Sequence, residues 1–310
     1  NQRNRRNLNP TRLSKRVSSA LRHASIGCIL IFFLIGTFEL YPKSFPARGF
    51  AKILTPVKAQ ENLNEFRSLI ASSLQESGFH SAYCFKFKLR HMPRRGAETE
   101  CFGSIAGPTL RSGIFRIEIF PDPDIAEPKV FLLRNPLEPR AWVGYQNQND
   151  LEILSRDALL KPMVSGMNQT LFDFLMPFVF WEGEYLKSGK VAGRPSHLYE
   201  FASPFWVSET MPDWSRVVLA IDDAYLAPLR VEVFSDTAQL LRSTTLRSYK
   251  KVGEEWIIKT LDCINQKDRS NTRLEILAVA TELDLNPGLF SEQKFKHPLS
   301  VPTSAFQTFD

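Results

Sequence analysis

Few residues in this chain are spaced for chemistry. Its 310 residues include five histidines and four cysteines. There is no G-x-S-x-G nucleophile elbow, no glycine-rich phosphate loop and no H-E-x-x-H pair. Nucleophilic, phosphoryl and zinc chemistry therefore lack the spacings that serve them. His80 and His91 flank one strand-like run without a third ligand at metal-motif spacing, so neither a metal nor a cofactor is expected. Asp222-Asp223 offers two carboxylates, but it stands at a hairpin-like turn, where aspartate bonds its own backbone. Cys28 lies inside an apolar run rather than after it, which excludes a lipid-anchor cysteine. Cys84 and Cys101 are about equidistant from the turn-like Met92-Pro93-Arg94-Arg95-Gly96, which makes them a disulfide candidate if the chain is exported. The alternative is two buried free thiols. Cys263 has no evident partner.

The strongest signal is apolar. Residues 168–181 read NQTLFDFLMPFVFW. A helix over 170–176 puts Phe172, Leu175 and Met176 on one side and Phe174 on another, and Pro177 ends or kinks it. Apolar on more than one face, such a segment either plugs a core or lines a cavity from which it can lift. An acyl chain entering that cavity gains about 0.8 kcal/mol per methylene, and apolar pockets need few polar groups. The candidate lining residues are Phe172, Leu175, Met176, Phe178, Trp181 and Trp206, followed by Trp142 and Phe115.

These residues need a scaffold, and the chain reads mainly as strand. Leu63, Phe66, Leu69, Ile70 and Leu74 mark one helical face over 62–77, stopped by Gly78. Strand signals follow over 83–91, 98–105, 113–120, 129–133 and 141–145, bounded by Pro, Gly, Asn or Asp. Residues 187–194 read as a polar turn. Further strands read over 197–202, 216–221, 228–235, 239–250, 255–265 and 271–283, and a last short helix over 287–295. No helices separate these strands, so they must be antiparallel. A sheet of about 10–11 strands must curl or split. The expected fold is mainly β with a few helices: an open, strongly curved antiparallel half-barrel covered by helices.

Charge divides the chain. The whole carries +6, but residues 1–59 carry +10, so the remainder is −4. A basic stretch followed by the apolar run 24–38 reads as a secretory signal, or as a retained N-terminal anchor. The expected organisation is a leader over 1–59, a domain over 60–296 and a tail over 297–310. The acidic balance of the domain argues against nucleic acid as a partner.

The second half resembles the outer-membrane lipoprotein-sorting family of periplasmic lipoprotein carriers. The resemblance rests on Val217 to Ser235 (VVLAIDDAYLAPLRVEVFS), Leu240 to Lys250 (LLRSTTLRSYK), Trp256 to Leu261, Thr272 to Ile276, and Gly193-Arg194 before His197 to Phe201. It spans roughly residues 100–295. It implies an open β-barrel lidded by helices, an acyl-chain cavity, and an arginine on an early strand that holds the lid closed. Phe115-Arg116 is similar to that position, with Ile117 replacing the family's aromatic residue. The implied protein is exported to the periplasm or envelope, is not an enzyme, and binds lipoprotein acyl chains or another lipid. The alternative is a membrane-tethered envelope interaction or sensor module of the same fold, with membrane proteins as partners.

Overall fold

The structure is a computed structural model that describes residues 35–36, 49–71, 82–108, 114–120, 127–134, 137–145, 151–252, 255–292, 295 and 297–309. The apolar run 24–38, apart from 35–36, and His80 lie outside the described residues.

The strands are β1 (Ile35–Gly36), β2 (Ala82–Met92), β3 (Thr99–Gly107), β4 (Ile114–Phe120), β5 (Lys129–Arg134), β6 (Arg140–Tyr145), β7 (Glu152–Ile153), β8 (Gly183–Val191), β9 (Arg194–Ala202), β10 (Arg216–Asp222), β11 (Pro228–Phe234), β12 (Leu240–Val252), β13 (Glu255–Asn265), β14 (Ser270–Leu283) and β15 (Gln307–Thr308). The helices are α1 (Pro56–Ala71), α2 (Leu171–Leu175) and α3 (Phe205–Thr210). One antiparallel sheet runs β7-β6-β5-β4-β3-β2-β14-β13-β12-β11-β10-β9-β8, with β1 on β13 and β15 on β14. The sheet is open. The first long strand, β2, therefore pairs with the last, β14, at its centre, and β7 and β8 lie at opposite edges. The chain from β7 to β8 must cross from one edge to the other. It does so over one face, and this crossing supplies much of the helical cover.

Strand alternation separates two cores. Tyr83, Phe85, Phe87 and Leu89 of β2, with Ile105, Phe115, Ile117, Phe131 and Leu133, face inward toward the helices. Ala82, Cys84 and Ala106 face outward and pack with Leu285, Leu289 and Phe290. The folded body reaches beyond 60–296 at both ends. Ala51 is buried and α1 begins at Pro56. Leu299, Val301 and Phe306 pack on the outer core, and β15 pairs with Ala278 and Val279 of β14.

The register separates the two candidate disulfide cysteines. Cys84 stands opposite Ala106, and Cys101 opposite Leu89. One thiol belongs to the outer core and the other to the inner core, so a cross-strand bridge is excluded and both cysteines are free. Equal distance from a turn puts residues opposite each other only when the register matches, and here it is displaced by five residues. Burial pushes the Cys84 thiol up to about 12 and the Cys101 and Cys263 thiols up to about 11. They stay neutral at pH 7 and are poor nucleophiles. With Cys28→Ser, a thiol reagent should leave all three untouched in the native protein and modify all three in denaturant without reductant, counted by mass.

Two further expectations change. Of residues 187–194, expected as a turn, 187–191 are the second half of β8, an edge strand with polar, exposed positions. The turn is only Ala192-Gly193, both at positive φ, as a tight hairpin requires. The expected helix over 287–295 shrinks to one 3-10 turn, Pro287–Phe290.

Candidate functional site

The candidate site is the inner face and the chain laid over it. Thr170 and Asp173 form a capping box that starts α2. Met176 takes a left-handed conformation with φ of 45°, and this ends the helix before Pro177 opens a 3-10 turn over 177–180. The aromatic side chains of this crossing segment gather at one place. Phe172 lies 5.5 Å from Phe178, 5.7 Å from Trp181 and 5.7 Å from Trp214, between ring centroids. Phe178 contacts Phe201 at 5.9 Å, and Trp181 contacts Trp206 at 6.2 Å. Leu175 and Met176 are buried in the same inner core. The sequence missed Phe201 and Trp214, whose positions 20 and 33 residues beyond Trp181 carry no local signal.

The polar end of α2 is fixed to the sheet. Arg242 of β12 is buried and ion-paired with Asp173. Burial alone lowers its pKa, but the Asp173 carboxylate outweighs burial and raises it. The same guanidinium donates to the Asn168 carbonyl at 2.7 Å. Asn168 Nδ2 donates to the Cys263 carbonyl at 3.0 Å, and Gln169 Nε2 to the Thr272 carbonyl at 2.8 Å. Neither Arg242 nor Asn168 was legible as a site residue, because their partners are brought together only by the sheet.

The lid arginine is not the expected one. Arg116 lies on the outward face of β4, fully buried. It pairs with Glu118 at 2.6 Å and donates to the Leu289 carbonyl at 3.3 Å. Alternation on β4 turns Phe115 inward and Arg116 outward, so Arg116 fastens the C-terminal segment and cannot reach the helices of the inner face. Trp142 is likewise displaced. Its β6 neighbour Ala141 faces inward, and Trp142 itself faces outward beside Arg134. Phe115 does face the inner core. Arg67 of α1 takes the holding position. Its Nε donates to the Val179 carbonyl at 2.7 Å and its Nη2 to the Trp181 carbonyl at 2.8 Å.

Helix α1 turns Ala59, Leu63 and Phe66 onto the inner core. Besides Arg67, Tyr199 holds it through its hydroxyl, whose one proton is shared between the Ala59 carbonyl at 3.0 Å and Asn62 Oδ1 at 2.7 Å. Tyr185 accepts from the Leu54 amide at 3.4 Å and meets His197 Nδ1 at 3.4 Å. His197 Nε2 contacts Asp223 Oδ1 at 2.7 Å. Asp222 accepts from the Ala224 and Tyr225 amides, each at 2.9 Å, in the expected Asx turn. A cleft of about 320 Å³ opens between α1 and β8–β9, lined by Leu54, Pro56, Leu63, Gly183, Tyr185 and Tyr199 among others. That volume is at the small end for ligand sites, roughly 300–1,000 Å³. A second cleft of about 340 Å³ lies on the outer face beside Cys84, Phe102 and Phe306. None of the eight expected lining residues borders either cleft. Seven of them belong to or pack on the inner core instead, and Trp142 packs outward beside Arg134.

Comparisons agree with this architecture. A family model described only as an uncharacterized protein matches residues 181–297. No curated protein matches the sequence. A structure from Vibrio parahaemolyticus described as an outer-membrane lipoprotein-sorting protein domain is similar at a TM-score of 0.61 and 16% identity, covering 78% of this chain and 100% of its own. A DUF1329 family protein from Desulfovibrio piger gives 0.55 at 15% identity, over 77% and 98%. A LolA superfamily protein from Nitrosomonas europaea gives 0.53 at 14% identity, over 75% and 97%. This chain has the LolA-superfamily fold, the open helix-covered sheet shared with the outer-membrane lipoprotein-sorting domain.

Proposed function

We propose that this protein is an exported, non-catalytic binder of lipoprotein acyl chains or another lipid. The observation that carries the reading is a helix, α1, laid on an aromatic sheet face and held at its polar edge by Arg67 and Tyr199. The fold it shares with lipoprotein-sorting domains supports the same reading.

The expected lining residues of the inner face are packed together among the described residues, so uptake requires α1 to lift. Magnitudes allow it. Exposing the side chains of Leu63 and Phe66 costs about 3–6 kcal/mol. Releasing the two Arg67 hydrogen bonds and the shared Tyr199 one costs about 1.5–4.5 kcal/mol more. An acyl chain of about 14 methylenes gains about 11 kcal/mol when buried. The two totals are close, so a chain can take the place of α1 and leave again. The cleft under Leu54 and Leu63 is the entry, since it already reaches the helix's buried edge.

Native mass spectrometry of the full chain, with lipid extraction and uptake of a fluorescent fatty acid, tests the reading. Wild type should carry a lipid mass. Arg67→Ala removes two charge-assisted bonds, so fatty-acid uptake should accelerate by about tenfold or more. A lipid-free mass, with no uptake by either protein, would overturn the carrier reading. The packed state of Phe172, Phe178 and Trp181 favours one alternative in that event, a tethered interaction module that uses its surface rather than its interior.

A further inference from the structure

The segment entering α1 exposes apolar side chains that the fold does not use. Ala51 and Ala59 are buried and Leu54 is half-buried, whereas Phe50, Ile53 and Val57 are 77%, 82% and 69% exposed. Single exposed apolar residues are ordinary. Here three fall within eight residues, Lys52 and Lys58 are exposed among them, and no acidic residue occurs from 50 to 60. The strip is apolar and cationic at once. Leu54, Pro56, Ala59 and Gln60 of the same segment line the α1 cleft, so the strip borders the cleft mouth.

We propose that residues 50–58 dock on an anionic phospholipid surface. Phe50, Ile53 and Val57 enter the boundary between headgroups and acyl chains, and Lys52 and Lys58 stay at the phosphates. Docking there sets the cleft mouth against the bilayer. A protein partner would satisfy the apolar side chains, but it gives no reason for a strip that carries lysines and no carboxylate. The proposal goes beyond acyl-chain uptake and stands or falls separately from it.

The test uses the full chain with Cys28→Ser, so that an introduced exposed cysteine is labelled selectively over the buried Cys84, Cys101 and Cys263. Ile53→Cys carries an environment-sensitive fluorophore. Lys267→Cys, in the exposed β13–β14 turn, is the control. Each protein is reconstituted into phosphatidylcholine–phosphatidylglycerol vesicles, with and without brominated acyl chains. The label at 53 should shift to the blue and lose roughly half its emission to the brominated lipid, a depth that interfacial segments reach. The label at 267 should not respond. Lys52→Glu with Lys58→Glu should reduce the quenching at 53 several-fold. If the label at 53 is no more quenched than the label at 267, the strip faces water or protein and the proposal is overturned, whatever lipid the purified protein carries.

Discussion

Asp173→Ala should lower the unfolding free energy by about 3–5 kcal/mol, because it leaves the Arg242 guanidinium buried without its counter-charge. The same substitution removes the reciprocal cap of α2, adding about 1 kcal/mol. Urea unfolding should show the lower midpoint at an unchanged slope. Asp173→Ala with Arg242→Met should recover much of the loss, since an apolar side chain of similar length avoids the stranded charge. A single-variant cost below about 1 kcal/mol would mean that water already reaches the pair, and that the crossing segment is held by its aromatic side chains alone.

Phe172→Ala should cost about 3–5 kcal/mol, the range for a fully buried phenylalanine whose neighbours cannot collapse into the void. Its ring touches Phe178, Trp181 and Trp214, three large rings fixed on two stretches of chain. Fatty-acid uptake should persist or rise, since an apolar void is a place for an apolar ligand. A loss of uptake with stability nearly unchanged would restore Phe172 as a lining residue of a hollow interior. The two substitutions act at the polar and aromatic ends of the same short crossing. Asp173 and Phe172 are adjacent in sequence, so their effects should not add.

Parts of the fold were legible because they rest on local periodicity. The alternation of Phe115, Ile117 and Ile119 with Arg116 and Glu118 on β4 marks a strand wherever it occurs. The run of hairpins from β9 to β14 follows from short turns between such strands. Pro177 ends α2 at the place the sequence indicates, because the ring excludes helical geometry one residue earlier. β8 was not legible. An edge strand buries little, so Glu184, Lys187 and Lys190 interrupt its alternation, and only pairing with β9 makes it a strand.

The sequence by itself determined the residue types, the strands other than β1, β7, β8 and β15, the antiparallel sheet and the aromatic crossing segment. Each follows from interactions within a few residues. The tertiary structure alone decided which face each side chain occupies relative to the rest of the sheet. It turned Arg116 and Trp142 outward, put Cys84 and Cys101 on opposite faces, and gave the holding position to Arg67. Alternation says that neighbouring residues on a strand face opposite ways, but not which way is inward. That choice is made where the chain crosses the open sheet between its two edges. Contacts such as Arg242 to Asp173, 69 residues apart, form only once that crossing is in place.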